Sequence, residues 1–261
     1  MYRQIESRAH PLIKQMAELK YRDARRERGL FIAEGEKLLS EALAAGIKIK
    51  YIFFTQKYEE QAVILGRGAQ LIKTNDDIIK KLSESKTPQG IICAAELFET
   101  YDAAKIKNGK FLALDSASEP GNLGAVMRGA EAFGIDGLII SENSADIYSP
   151  KTLRGSMGSA FRIPVYICGN LSVDLTELKI SGFGLYSLEL GGGAKPISEV
   201  KFPGKCIAVL GNESFGVSSE ISKICERIYI PMNGGVESLN LSVAAAVAAL
   251  YMKGGLANEE L

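Results

Sequence analysis

The chain has a single histidine, His10, and four cysteines, none of them in a C-x-x-C pair. One imidazole cannot build a histidine-ligated metal site, and it leaves acid–base chemistry without its commonest carrier. Cys93, Cys168, Cys206 and Cys225 are widely spaced within or beside apolar stretches. They read as buried, reduced thiols rather than metal ligands or bridges. No apolar run approaches the ~20 residues of a membrane span. The run Val243–Leu250 is too short and reads as part of a buried helix. Residues 1–20 carry charges throughout, without the apolar centre of a secretion signal. These absences point to a cytoplasmic protein that does not engage a membrane. Excess charge is also missing: 31 basic and 31 acidic side chains balance, so overall charge does not point to a polyanionic partner.

What is present is a chain of 261 residues with 46% hydrophobic content, enough for one large or two modest domains. Its first third alternates helical and strand patterns. Leu12, Met16 and Leu19 share one helical face, as do Leu38, Leu39, Ala42 and Leu43. Tyr51–Phe54 and Ile91–Ala95 read as strands, Ala62–Leu65 as the end of a helix, and Asn75 as the cap of a helix over Asp76–Leu82. This is a small α/β unit over residues 1–97. The charged and polar stretch 98–109 reads as a linker.

From residue 110 the alternation restarts. Strands are expected at Phe111–Leu114, Gly137–Ile140, Pro164–Ile167, Gly184–Leu188, Ile207–Leu210 and Arg227–Ile230. Helices are expected at Leu123–Phe133, Leu171–Leu178, Ser218–Ile224 and Leu239–Met252. Continuous apolar strands between helices indicate a parallel sheet covered on both faces. The glycines Gly191–Gly193 read as a mobile loop.

Within this second part, three apolar strands run into polar, glycine-bearing turns. The first segment is FLALDSASEPGNLGAVMRGAEAFG, with Asn122, Gly124 and Arg128. The second is CIAVLGNESFGVSSEI, with Gly211, Glu213 and Gly216. The third is IPMNGGVESLNLSVAAAVAALY, where Asn233, Gly234 and Gly235 permit a tight turn and Glu237, Ser238 and Asn240 gather at a helix entrance. Such an entrance has unpaired backbone N–H groups and suits either a cap or a ligand oxygen.

In order and spacing, the three segments resemble the signature motifs of the SpoU/TrmH family of RNA ribose 2′-O-methyltransferases. The segment KYRDARRERGLFIAEGEKLLSEAL resembles the substrate-binding domain that precedes the catalytic domain in many members. Generic rules would place a Rossmann-like open sheet here, with ligand at PGNLGA. The resemblance implies instead a trefoil-knotted α/β domain over residues 110–261, a homodimer, and S-adenosylmethionine as cofactor without a metal.

The resemblance also assigns the site. Backbone groups around Gly211, Asn212, Ile230, Met232 and Leu239, with the strand end Ser187–Leu188, would hold the cofactor. Asn122, Arg128, Glu213, Ser238 and Asn240 would form the catalytic polar set. The family's arginine is proposed to accept the 2′-hydroxyl proton. A free guanidinium is essentially never neutral at pH 7, so a literal base role would need help from the surroundings. The favoured alternative is that Arg128 clamps the neighbouring phosphate and stabilises the developing alkoxide. Glu213 would orient Arg128 or a backbone amide. Two departures stand out: Glu119-Pro120-Gly121 replaces the family's frequent Asp-Pro-His or Asp-Pro-Gly, and Phe215 fills a variable place in the second turn.

The substrate implied is structured RNA. The locally basic amino-terminal end, with Lys20, Arg22, Arg25 and Arg26 as expected phosphate contacts, favours ribosomal RNA over tRNA. The bland alternative for that cluster is a solvated helix face. A non-catalytic RNA-binding protein on the same scaffold is the rival class, disfavoured by the intact polar set. Base methylation is disfavoured by the lack of an attacking cysteine or histidine in the motifs.

Overall fold

A computed structural model describes residues 2–66, 68–191, 193–234 and 237–254. Gly192, Gly235 and Val236, part of the loops read above, lie outside the described residues. By contact the chain divides into two units. One comprises the residues up to Phe98 together with Asp146–Arg162; the other comprises Glu99–Ala145 and the residues from Ile163 onward.

The first unit is built on a sheet of strands β1 (Arg3–Gln4), β2 (Leu30–Glu34), β3 (Ile49–Phe54), β4 (Gln70–Lys73) and β5 (Ile91–Glu96). Their spatial order is β1-β4-β3-β5-β2, with β5 antiparallel to both neighbours. Helices α1 (Pro11–Ala17), α2 (Arg22–Arg28), α3 (Glu36–Ala44), α4 (Glu59–Leu65) and α5 (Asp76–Leu82) surround it. Asn75 caps α5 as its side-chain oxygen accepts from the Ile78 N–H at 3.1 Å. Gly29 closes α2 in the left-handed region, where a side chain would be strained.

The segment Asp146–Arg162 carries α7 (Pro150–Ser156) and packs with this unit although it lies far along the sequence. Two forces hold it. Phe31, buried in β2, meets Phe98, Tyr148 and Phe161 at ring-centre separations of 5.8, 6.1 and 5.9 Å. The Arg25 guanidinium also binds Asp146 through both Nε and Nη2.

The second unit is a wholly parallel sheet of β6 (Lys110–Leu114), β7 (Gly137–Ser141), β8 (Val165–Cys168), β9 (Gly184–Leu188), β10 (Lys195–Pro196), β11 (Cys206–Leu210) and β12 (Glu226–Tyr229). The order is β10-β12-β9-β11-β6-β7-β8. Helices α6 (Pro120–Ala132), α8 (Leu171–Ile180), α9 (Ser219–Ile224) and α10 (Leu241–Met252) cover it. The strands β6, β7 and β11 are almost wholly buried along their length, as sheets covered on both faces require.

The stretch expected as a polar linker does not behave as one. Ala103 and Ile106 are buried in the core of the second unit, and Tyr101 pairs by backbone with the β8 edge. Two apolar side chains suffice to dock the stretch once a sheet edge is offered. Helix α6 also begins earlier than expected. Pro120 occupies its first turn, a position where a missing N–H costs nothing, so Asn122 lies on the helix rather than in a turn.

Candidate active site

The three motif segments converge at one end of the parallel sheet. Strand β6 delivers Asp115 and Ser116, and α6 then presents Asn122 in its first turn. Strand β11 leads into the turn Gly211–Gly216. The chain after β12 brings Ile230 and Met232, then Ser238, Leu239 and Asn240 before α10. Between them lies a cavity of about 860 Å³, lined by Asn122, Leu188, Glu189, Gly211, Glu213, Phe215, Ile230, Met232, Ser238, Leu239 and Asn240, among others.

The turn Gly211–Gly216 is locked by backbone bonds in both directions between Asn212 and Gly216, at 3.0 and 2.9 Å. Asn212 Oδ1 accepts from the Ser214 N–H at 2.8 Å, and its Nδ2 donates to the Ser116 carbonyl at 2.7 Å. Asp115 completes the clamp by accepting from the Ser218 N–H at 2.8 Å. Gly211 has no substitute here: a Cβ would stand 1.9 Å from the Gly216 carbonyl carbon. Ser116 takes φ +58°, an unfavourable region for a residue with a side chain. It is held there by donation from its N–H to Ser141 Oγ at 2.8 Å.

One polar chain connects all three motifs. Asn240 Nδ2 donates to Asn122 Oδ1 at 3.0 Å, and Asn122 Nδ2 donates to Glu213 Oε1 at 2.9 Å. Asn240 simultaneously caps α10, accepting from the Ser242 N–H at 2.9 Å. Capping and site-building are one role in this residue. Ser118 donates to Glu213 Oε2 from both its hydroxyl and its N–H. Desolvation raises the Glu213 pKa, but donors from Asn122, the backbone and Ser118 together outweigh it and leave the carboxyl below its ordinary value.

The structure sorts the remaining expected residues. Leu188, Gly211, Asn212, Ile230, Met232 and Leu239 all line the cavity. Ser187 does not: it is fully buried and donates to Glu189. That neighbouring Glu189 is a lining residue the sequence reading missed, although an acid just past a buried strand end is a visible signal. Arg128 is exposed on α6 and stands outside the cavity lining. Six residues of helix carry it about 240° around the axis from Asn122.

Arg25 is corrected outright as a phosphate contact. It is 3% exposed, bound to Asp146, and donates to the Leu19 carbonyl at 2.6 Å. Lys20 and Arg26 are exposed and Arg22 is half-buried; Lys20 lies 4.8 Å from the centre of the exposed Tyr21 ring. Among the described residues no group of three or more His, Cys, Asp or Glu could hold a metal ion.

Residues 109–250 match the SpoU rRNA Methylase family, and residues 10–93 match the MRM3-like substrate binding domain. The chain is 33% identical to the 23S rRNA (guanosine(2553)-2′-O)-methyltransferase RlmP of Bacillus subtilis, over 97% of this chain and all of that protein. It is 28% identical to the mitochondrial rRNA methyltransferase 3 of Homo sapiens, over 89% of this chain and 69% of that one. In structure it is similar to an AdoMet-bound rRNA methyltransferase from Sinorhizobium meliloti. That likeness has a TM-score of 0.86 and 27% identity, with 97% of each chain covered.

Proposed function

This chain belongs to the SpoU rRNA methylase family, and on that premise we propose that it methylates a ribose 2′-hydroxyl of structured RNA, with ribosomal RNA as the substrate class and S-adenosylmethionine as the donor. The observation that carries the reading is the Asn240–Asn122–Glu213 chain, which joins three separate motifs at the mouth of one cavity. A retired scaffold has no physical need to keep three polar side chains in register across 118 positions.

The cavity fits the donor. Leu188, Ile230, Met232 and Leu239 offer apolar walls to a purine, and Gly211 lets backbone approach closely. Its volume is that of a small-molecule cofactor site. When bound, S-adenosylmethionine supplies an electrophilic methyl group on a sulfonium, so the chain need only bind, orient and manage a proton. Asn122, Ser238 and Asn240 offer neutral hydrogen bonds to the ribose being modified. Glu213 stays ionised and braces both Asn122 and the Ser118 turn. Arg128 acts on the transition-state charge or the adjoining phosphate, reaching the reaction once RNA or a second copy of the chain is in place.

A homodimer is part of this reading. Helix α10 is apolar around its whole circumference, and it leaves Val243 and Tyr251 exposed while packing its small residues against α6. A trefoil knot belongs to it as well, supported by the likeness of the parallel sheet to members of the family. A cytoplasmic location follows the same reading; among the described residues no helix is long and apolar enough to cross a membrane. Lys20, Arg22 and Arg26 are the proposed phosphate contacts of the first unit.

The test is direct. Full-length protein, tritiated S-adenosylmethionine and unmodified 23S rRNA should yield label at a position that resists alkaline cleavage. Label appearing in tRNA but not in rRNA would replace the substrate class. No label in either would return the protein to a binding role.

A further inference from the structure

Phe215 is 90% exposed at the tip of the Gly211–Gly216 turn and lines the same cavity as Asn122, Glu213 and Asn240. Nothing in the fold requires an aromatic ring there. The turn is closed by Asn212, whose Oδ1 also accepts weakly from the Phe215 N–H at 3.4 Å, and by the paired backbone bonds to Gly216. The ring is therefore presented to solvent by a braced turn. Single exposed apolar side chains are common on protein surfaces; what sets this one apart is its place on a braced turn at the cavity that gathers Asn122, Glu213 and Asn240.

The charge of the cavity indicates what the ring meets there. Its lining includes Glu119, Glu189, Glu213 and Glu237, and no lysine or arginine is among the described lining residues, although Arg227 stands 3.6 Å from Glu189. The described lining itself offers no cation to a phosphate. A nucleotide can still be gripped there by the uncharged face of its base, since every base offers a π surface to an aromatic ring. Methylation of a ribose leaves the base chemically untouched. The base is thus free to serve as the handle that holds its sugar still.

Resting on the methyltransferase reading above, we propose that Phe215 is a stacking platform for the unpaired base of the nucleotide whose ribose is methylated. Phe215 then governs RNA engagement, and it favours no base by hydrogen bonding, so the ring holds the nucleotide rather than choosing it.

The experiment measures methyl transfer to in vitro transcribed 23S rRNA by full-length wild-type, Phe215→Ala, Phe215→Leu and Phe215→Trp proteins. Cofactor affinity is measured by calorimetry and mass by light scattering. Stacking predicts that Phe215→Ala raises the RNA KM by about tenfold. Phe215→Leu should do nearly the same, because it keeps bulk and loses the π face, while Phe215→Trp should stay within about twofold of wild type. Cofactor affinity and mass should not change. An RNA KM unaltered in Phe215→Ala, or restored by leucine, overturns the proposal. A parallel loss of cofactor affinity assigns the ring to the cofactor, and a change of mass assigns it to a subunit contact; either overturns it too. Absence of transfer by the wild-type protein is a different failure, that of the activity itself.

Discussion

Arg25 and Asp146 stand 121 positions apart in sequence and form a buried ion pair, the arginine engaging one carboxylate oxygen through two nitrogens. Its side chain is 4% exposed and that of Asp146 13%. Removing one partner strands a charge in a poorly solvated place. Asp146→Ala should therefore lower unfolding free energy by about 3–5 kcal/mol, read as a shifted urea midpoint. A loss under 1 kcal/mol would show that water reaches the guanidinium. The salt dependence of RNA binding should be unchanged in Arg25→Met and flattened in Lys20→Ala with Arg26→Ala.

The carboxyl of Glu213 should titrate below its ordinary 4.5. A depressed folded-state pKa gives stability that is present above the unfolded value and lost as pH falls through the folded one. Asn122→Ala removes one donor, so the midpoint should move upward toward the unfolded value, and the stability the carboxyl contributes should shrink and be fully lost at a higher pH. Carbon-13 NMR of the labelled carboxyl checks both, and a midpoint that stays put would detach Asn122 from this role.

Gly211→Ala should be among the most damaging single changes in the second unit. The new methyl meets backbone atoms of Gly216 and Val217 rather than a yielding side chain. We expect a loss of about 1–3 kcal/mol in stability and at least a tenfold weaker cofactor affinity, measured by thermal melt and calorimetry. Wild-type affinity in this variant would mean that the turn relaxes freely.

The thiols should be inert. Burial pushes Cys93 and Cys225 up to about 12 and Cys206 up to about 11, and it raises Cys168 as well. The thiolate is the reacting form, so a disulfide reagent at pH 8 should modify the native protein slowly and the urea-unfolded protein at once. Rapid native labelling would show that at least one of these sites opens.

Arg128 tests the split between binding and chemistry. Arg128→Ala should cut methyl transfer by about 100-fold or more, as for loss of a transition-state donor, with cofactor affinity unchanged. Recovery in Arg128→Lys would indicate a charge role; no recovery would indicate the planar fork. Full activity in the alanine variant would remove the residue from the mechanism.

Much of the catalytic unit was legible in sequence because buried parallel strands announce themselves as apolar runs. Gly184–Leu188 matches the expected strand at both ends. The short β10 and the helix α7 carry too little periodicity to be seen that way. The glycines beside Asn122 suggest a turn, whereas Pro120 is the better signal of a helix start. Ser187 illustrates the opposite error: a serine in a strand covered on both faces is buried, whatever lies beyond the strand end. Arg25 was the hardest case. Its helix supplies cations on every side, and only a carboxylate delivered from residue 146 distinguishes the one turned inward.

No single cut in the gene separates the two units. The chain passes between them after Phe98, after Ala145 and after Arg162. A piece ending at residue 98 would leave Phe31 without Tyr148 and Phe161, and Arg25 without its anion. A chimaera that exchanges only the first hundred residues between relatives inherits mismatched partners at Asp146 and Tyr148. The transplantable piece is two stretches, and recombination that exchanges this unit between relatives must carry both.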